Sequence, residues 1–375
     1  MKLLQISNYY PPHIGGIEQV ACDVATALKG RVEQKVVCFN HEKPDITEQA
    51  EGVEIVRAGT FAKVSSQSLS FTFHKLLKKT FREFCPDVVI FHCPNPFEAR
   101  SLIAMLKKYP TCKLVLWWHL DITKQKILGK LFTGQSKWLL RRAEKVVATS
   151  PNYIDGSAQL KSVREKCVVI PCCANEERVS VNEQVLARAR EIREEAGQRT
   201  LLFAVGRHVP YKGMEYLVRA SKQLDERFLV RIAGSGPLTE ELRALAADDA
   251  KVGFLGRISD VELKAYLLAC DVFCFPSVTK NEAFGIALAE AMSFAKPAVT
   301  FTIPGSGVNY VCLNHETGIE CPNGDVKAYA HAINTLAKDK ELASRYGKAA
   351  RERFEALFTQ EKFSQNVKRL IAELS

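Results

Sequence analysis

The sequence predicts an α/β fold of two doubly wound, Rossmann-like domains, and three observations carry that prediction. Short apolar strands alternate with helical patterns along the whole chain, which is the signature of parallel α/β architecture. Several strands run straight into Gly-containing loops that open helices. The alternation breaks at Pro171 to Glu177, near the middle of 375 residues, and that length suits two domains of about 150–200 residues better than one core. The expected division is a first domain over 1–172, a second over 173–356, and an amphipathic helix over 357–375 that crosses back to the first. Any ligand is expected between the two halves, at the C-terminal ends of the strands.

Each strand is an apolar run of β-formers between turn signals. In the first half these runs are Lys2–Ile6, Lys35–Phe39, Val53–Arg57, Val88–His92, Lys113–Trp118, Lys145–Thr149 and Val168–Ile170. Helical spacing fills the gaps, for example over Gly16–Leu28 and Ser136–Arg142. A charged stretch reaches Gln198. Strands then resume at Leu201–Val205, Phe228–Ala233, Val252–Leu255, Val272–Phe275 and Ala298–Phe301.

Composition narrows the class. No apolar run reaches 18 residues, and Met1-Lys2-Leu3-Leu4-Gln5-Ile6 reads as a strand, not a leader, so a cytoplasmic protein is expected. The twelve cysteines form no C-x-x-C pair, which favours buried thiols over a disulfide or metal framework. Residues 1–175 hold 25 Lys and Arg against 15 Asp and Glu, so the whole net charge of +10 lies in the first half. That half is expected to meet an acidic partner such as an anionic membrane surface. Residues 71–84 are the strongest local case: Phe73, Leu76, Leu77, Phe81 and Phe84 repeat at helical spacing, with Lys75, Lys78, Lys79 and Arg82 between them. The plainer reading is a core-packed helix with its lysines in water. No RNA- or DNA-binding motif supports a nucleic-acid partner.

Four loops carry candidate chemistry. The first strand ends in Asn8 to Glu18, where Gly15-Gly16 opens a helix and lets backbone N–H groups approach an anion; a tight strand–helix turn is the alternative. Gly206 to Gly213 carries Arg207 and Lys212, a fork and a point charge suited to a diphosphate, although surface loops often hold both. Gly234-Ser235-Gly236-Pro237 and Gly256-Arg257-Ile258-Ser259 follow two further strands. Between Glu282 and Glu290 two carboxylates flank Ala283, Phe284, Gly285 and Ile286, a turn into an apolar helix. A helix N-terminus favours a diphosphate, with Glu282 beside it and Glu290 about 12 Å further on, near a ribose. The alternative is a solvated helix with two surface glutamates.

Together these loops, with Trp118-His119-Leu120-Asp121-Ile122, resemble the retaining glycosyltransferases of family 4, which have the two-domain GT-B fold facing across a cleft. The likeness covers nearly the whole chain. It implies that Arg207 and Lys212 hold the donor diphosphate and stabilise the leaving group, and that Glu282 contacts the donor sugar. Ala283, Phe284, Gly285 and Ile286 would line phosphate and sugar, Glu290 the ribose, and Arg257 and Ile258 the base. Gly15 and Gly16 would face donor phosphates or acceptor. His119 resembles the family histidine near the donor sugar's primary hydroxyl, though a lone histidine is equally a core or capping residue.

The chain has no D-x-D motif, so side-chain cations are expected to replace a metal ion, and no cofactor beyond the nucleotide sugar is expected. Gly-Gly-Ile-Glu-Gln and the stretch from Trp118 through Gln125 to Lys126 most resemble transferases that assemble bacterial surface polysaccharides. GDP-mannose as donor and a polyprenyl-diphosphate-linked glycan as acceptor are implied; a UDP-hexose or UDP-N-acetylhexosamine donor, or a non-catalytic nucleotide-sugar scaffold, are the alternatives. A Rossmann dehydrogenase would need G-x-G-x-x-G, which neither half has.

Overall fold

A computed structural model describes residues 1–13, 15–64, 67–121 and 126–374. Ile14, Ile122, Gln125 and Ser375, which fall within segments quoted above, lie outside them. The chain divides into two compact units. Met1–Thr149, Ser157–Ile170 and Phe363–Ser375 form the first; Ser150–Gly156 and Pro171–Lys362 form the second. No sequence signal assigns 150–156 to the second unit; packing does. A Cβ built on Gly156 would come within 2.2 Å of the Gly305 Cα, so that contact admits only glycine.

The first unit holds β1 (Lys2–Ile6), β2 (Glu33–Phe39), β3 (Ile46–Ala50), β4 (Val53–Ala58), β5 (Ala62–Val64), β6 (Gln67–Leu69), β7 (Val88–Cys93), β8 (Lys113–Trp118), β9 (Lys145–Ala148) and β10 (Cys167–Val169). Its main sheet runs β10-β9-β8-β7-β1-β2-β4-β3. Every pairing in it is parallel except β3 with β4. Helices cover both faces of a parallel sheet, so Leu3, Leu4, Ile6 and Val88 to Ile90 are wholly buried and read as unbroken apolar runs. The edge strand β3 escaped the sequence reading because all five of its residues are exposed and backbone pairing alone defines it. The β5–β6 ribbon is likewise too short for a period.

Helix Phe73–Phe84 turns its apolar side inward: Phe73, Leu77, Phe81 and Phe84 are buried, and Lys75, Lys78, Lys79 and Arg82 are exposed. The plainer reading of this segment therefore holds, and its apolar stripe is already used by the unit's own core. The predicted helix over Ser136–Arg142 begins earlier, as Lys126–Arg142. The terminal helix Gln360–Ala372 buries Phe363, Val367, Leu370 and Ile371. Phe363 packs against Trp117 at 5.8 Å between ring centroids, and Lys145 pairs with Glu373 at 3.2 Å.

The second unit holds β11 (Thr200–Val205), β12 (Phe228–Ala233), β13 (Val252–Gly256), β14 (Val272–Phe275), β15 (Ala298–Phe301) and β16 (Gly318–Cys321). The sheet is parallel throughout and ordered β13-β12-β11-β14-β15-β16. Strand order reverses between β11 and β14, and ligands of such sheets bind at the carboxyl ends beside that switch point. The charged stretch before Gln198 contains helix Glu183–Ala196, capped by Asn182, whose side chain accepts from the Val185 N–H at 3.0 Å. Its buried face is Val185, Ala189, Ile192 and Ala196. Half of that face is alanine, which gives little apolar contrast against the surrounding charges.

Among the described residues no helix is long and apolar enough to cross a membrane. The cysteines are free thiols and most are buried.

Candidate active site

The loops after β11 and β14, on either side of the switch point, bring together residues far apart in sequence. After β11 the chain makes a single 3-10 turn, Pro210–Lys212, and then passes through Gly213 into helix Met214–Ser221. Gly213 has φ of +61°, and a Cβ there would lie 2.2 Å from the carbonyl oxygen of Pro276. Only glycine allows this approach. It seats the Lys212 loop against the loop that follows β14.

Lys212 Nζ then lies 2.5 Å from Glu282 Oε2, with both side chains largely buried. Ser277 Oγ donates to the same carboxylate oxygen at 3.1 Å, and Ser306 Oγ donates to the Glu282 carbonyl. The Lys212 ammonium also lies 5.2 Å from the Phe275 ring centroid and 5.7 Å from that of Tyr211. Burial alone would lower the Lys212 pKa, but the Glu282 charge and hydrogen bond outweigh it, and the pKa is raised above the ordinary lysine value. Arg207, five residues upstream, is exposed and has no acceptor among the described residues. The loop therefore presents one fixed cation and one free fork.

Glu282 to Gly285 leads into helix Ile286–Ser293. Gly285 has φ of +97°, the left-handed region, and lets the chain turn into the helix beside the Phe275 ring. Leu288 N–H makes the first bond of the helix, to Gly285 O at 3.0 Å, so the N–H groups of Ile286 and Ala287 precede it. Phe284 is buried, and Ala283 and Ile286 are half-buried. Glu290, in the same helix, is 3% exposed, so neither glutamate is an ordinary surface residue. Glu290 Oε1 lies 2.8 Å from Arg178 Nε, an ion pair not aligned as a hydrogen bond. Burial raises its carboxyl to about 7, against the opposing pull of Arg178. Arg178 was not singled out by the sequence, since it is one arginine in a charged segment 112 residues before its partner. Arg257 follows β13 and donates from Nε to Ser235 Oγ at 3.3 Å, joining the loops after β13 and β12; Ile258 beside it is half-buried.

Gly15, Gly16 and His119 belong to the first unit. Gly15 caps helix Gly16–Ala27 in extended conformation, and a Cβ on it would meet the Glu18 carboxylate at 2.2 Å; Gly16 is exposed with open space around it. His119 follows β8 and is buried. Its Nε2 is 3.0 Å from His92 Nδ1, and burial lowers its pKa to about 3, so the ring is neutral. Asp121 is spoken for: it accepts from Trp118 Nε1 at 3.0 Å and from Ser157 Oγ at 2.8 Å.

Each half of the chain matches a known family. Residues 14–178 match Glycosyltransferase Family 4 and residues 187–353 match Glycosyl transferases group 1. The O-antigen chain mannosyltransferase C of Escherichia coli is 32% identical over 96% of this chain and 95% of its own. A D-rhamnosyltransferase of Pseudomonas aeruginosa is 31% identical over 96% of this chain and 92% of its own. Among solved structures, a sucrose-phosphate synthase from Thermosynechococcus elongatus superposes with a TM-score of 0.79 at 20% identity, covering 100% and 98% of the two chains. An Anabaena protein solved with UDP and glucose does so at 0.77 and 17%, covering 99% of each. These likenesses establish the GT-B fold. The chain belongs to the family-4 glycosyltransferases.

Proposed function

We propose that this glycosyltransferase moves a hexose from a nucleotide diphosphate sugar with retention of anomeric configuration, and that mannose from GDP-mannose is the donor. The observation that carries the reading is the Lys212–Glu282 pair beside exposed Arg207 at the switch point of the second unit's sheet. As the glycosidic bond breaks, negative charge grows on the leaving diphosphate. Arg207, Lys212 and the N–H groups at Gly285 to Ile286 would stabilise it, and these donors need no divalent ion to do so. Glu282 would hold a sugar hydroxyl, Glu290 the ribose, Arg257 and Ile258 the base, and Gly15 and Gly16 phosphate or acceptor. His119 would offer a neutral imidazole to the sugar. The departing phosphate would take the acceptor's proton on the same face.

The relative named as an O-antigen chain mannosyltransferase, and a phosphatidyl-myo-inositol mannosyltransferase of Mycobacterium leprae at 26% identity, favour mannose and a lipid-linked glycan acceptor in surface polysaccharide assembly. The Anabaena structure, solved with UDP and with UDP-glucose, supports a UDP-hexose as the second reading. A thermal-shift panel of GDP-, UDP- and ADP-sugars separates them, since a ligand at 100 times its Kd adds about 2.7 kcal/mol to the folded state. GDP-mannose is expected to give the largest rise; a larger rise with a UDP-sugar transfers the assignment.

Retention itself has a direct check. GDP-α-mannose is expected to yield an α-mannoside, read from the one-bond C1–H1 coupling of the product's anomeric centre. H2 of mannose is equatorial, so the H1–H2 coupling is small in both anomers. Inversion would need a general base within hydrogen-bond reach of the acceptor hydroxyl. Asp121 is committed to Trp118 and Ser157, and burial lowers the His119 ring to about 3, which makes it a weak base. A β-linked product would overturn the mechanism.

The proposed location is the inner face of the plasma membrane, held by charge. The exposed Lys75, Lys78, Lys79 and Arg82 of helix Phe73–Phe84 each contribute about 1 kcal/mol near an anionic surface, screened within roughly 8 Å at physiological salt. Because the apolar stripe is buried in the unit, binding to phosphatidylserine vesicles should fall steeply with salt and in Lys75/Lys78/Lys79→Glu. Binding that salt leaves unchanged would refute charge as the anchor.

A further inference from the structure

We propose that Gln5 and His92 are positioning residues that fix the tautomer of His119, so that its Nδ1 presents a hydrogen-bond acceptor to the sugar. The inference rests on the reading of His119 given above as a group that meets the substrate. It comes from three side chains on neighbouring strands of the first unit: Gln5 on β1, His92 on β7 and His119 at the exit of β8. Gln5 and His92 are fully enclosed, at 0% and 1% exposure. His92 Nε2 lies 3.0 Å from Gln5 Oε1, and His92 Nδ1 lies 3.0 Å from His119 Nε2. The two rings stack 5.3 Å apart at 18°, and Trp117 stacks on His92 at 5.9 Å. The rings cannot turn independently.

The donors along this line follow from the chemistry of its end. A carboxamide oxygen only accepts, so the proton of the His92 ring is on Nε2. A neutral imidazole carries one proton, so His92 Nδ1 accepts and His119 Nε2 donates to it. His119 Nδ1 is then a lone pair. No described group hydrogen-bonds to it. Both rings are neutral near physiological pH, since burial lowers His92 well below the usual range and His119 to about 3. The opposite Gln5 amide orientation would reverse every donor in the line. With Oε1 toward His92, Gln5 Nε2 is buried without a partner, so the tautomer is the decisive measurement.

The consequence is selectivity. A fixed lone pair accepts from a hydroxyl and gives nothing to an ether or a deoxy carbon. Sites built to pair a substrate hydroxyl reject analogues that lack it far more strongly than apolar pockets reject a missing methylene. A mobile proton on His119 would blunt that distinction.

The test uses the full chain labelled with 15N-histidine, with His92 and His119 assigned by loss of their signals in His92→Phe and His119→Ala. Long-range 1H–15N correlations are expected to show both residues as neutral Nε2–H tautomers at pH 7. Gln5→Met, close in volume, should leave His119 as a mixture of tautomers and lower kcat by roughly 10- to 100-fold, the upper end being the scale of a group misplaced by about 1 Å. The donor KM should change little, and an unchanged melting temperature would exclude a folding cause. An Nδ1–H tautomer at His119 in the unsubstituted protein overturns the proposal whatever the variants do. So does wild-type kcat in Gln5→Met. If instead His119→Ala turns over normally while the tautomer is as expected, the substrate-contact reading of His119 fails, and the proposal falls with it by a distinguishable route.

Discussion

Arg207→Ala lowers kcat about 10²–10³-fold, the cost of one charge-stabilising donor at a developing anion, and leaves the melting temperature where it was. The second half of that expectation makes the first informative. Arg207 is exposed and has no described acceptor, so its removal breaks no contact of the folded chain. Surface substitutions of that kind usually change stability by less than about 0.5 kcal/mol. Lys212→Ala should slow turnover by a similar factor but is expected to destabilise as well. It leaves the Glu282 carboxylate, 11% exposed by side chain, with Ser277 as its remaining described side-chain partner. Breaking a buried pair costs about 3–5 kcal/mol where the remaining charge stays enclosed. Steady-state kinetics at saturating donor, paired with calorimetry, separates the two effects. Near-normal kcat for Arg207→Ala removes the clamp.

The features legible in the sequence and those that were not divide by physical cause. Strands buried on both faces leave unbroken apolar runs, so the positions of β1, β7, β8, β12, β14 and β15 could be read directly. The glycine of the Lys212 loop and the one before helix Ile286–Ser293 were visible as residues, and the structure gives their reason: close approach to Pro276 and φ of +97°. Pairings made by topology left no local trace. Lys212 and Glu282 are 70 residues apart and meet because β11 and β14 are neighbours. Arg178 meets Glu290 across a longer separation still. Gln5, His92 and His119 line up because β1, β7 and β8 are adjacent. The sequence placed Asp121 two residues after His119 in one motif and singled out only His119. The Trp118 and Ser157 hydrogen bonds identify Asp121 as an anchor of the loop.

Glu290 joins stability to function with opposite signs, and Glu290→Gln should expose both. In the folded chain its carboxyl titrates near 7 against an ordinary value of 4.5, chiefly because it is buried. A raised carboxyl pKa means that the folded state keeps a proton that the unfolded chain gives up. Its favourable contribution is complete below about pH 4.5, is lost as pH climbs from 4.5 to 7, and stays lost above that. The gap corresponds to about 3 kcal/mol at pH 8. Glutamine cannot ionise, so Glu290→Gln should be more stable than the parent at pH 8 and nearly equal to it at pH 4. For a unit of this size each kcal/mol is worth about 2–4 °C. Arg178→Ala should act the other way at pH 8, because it leaves the carboxylate buried without its cation. If Glu290 holds the ribose, the stabilised Gln variant also loses a charged hydrogen-bond acceptor worth about 1.5–3 kcal/mol, and nucleoside diphosphate affinity falls at least 10-fold. Calorimetric titration with GDP and UDP at pH 8 decides the matter. A Gln variant that gains stability yet binds nucleotide as before would make Glu290 a buried partner of Arg178 and nothing more; one that is destabilised at pH 8 would show that the ion pair outweighs the burial.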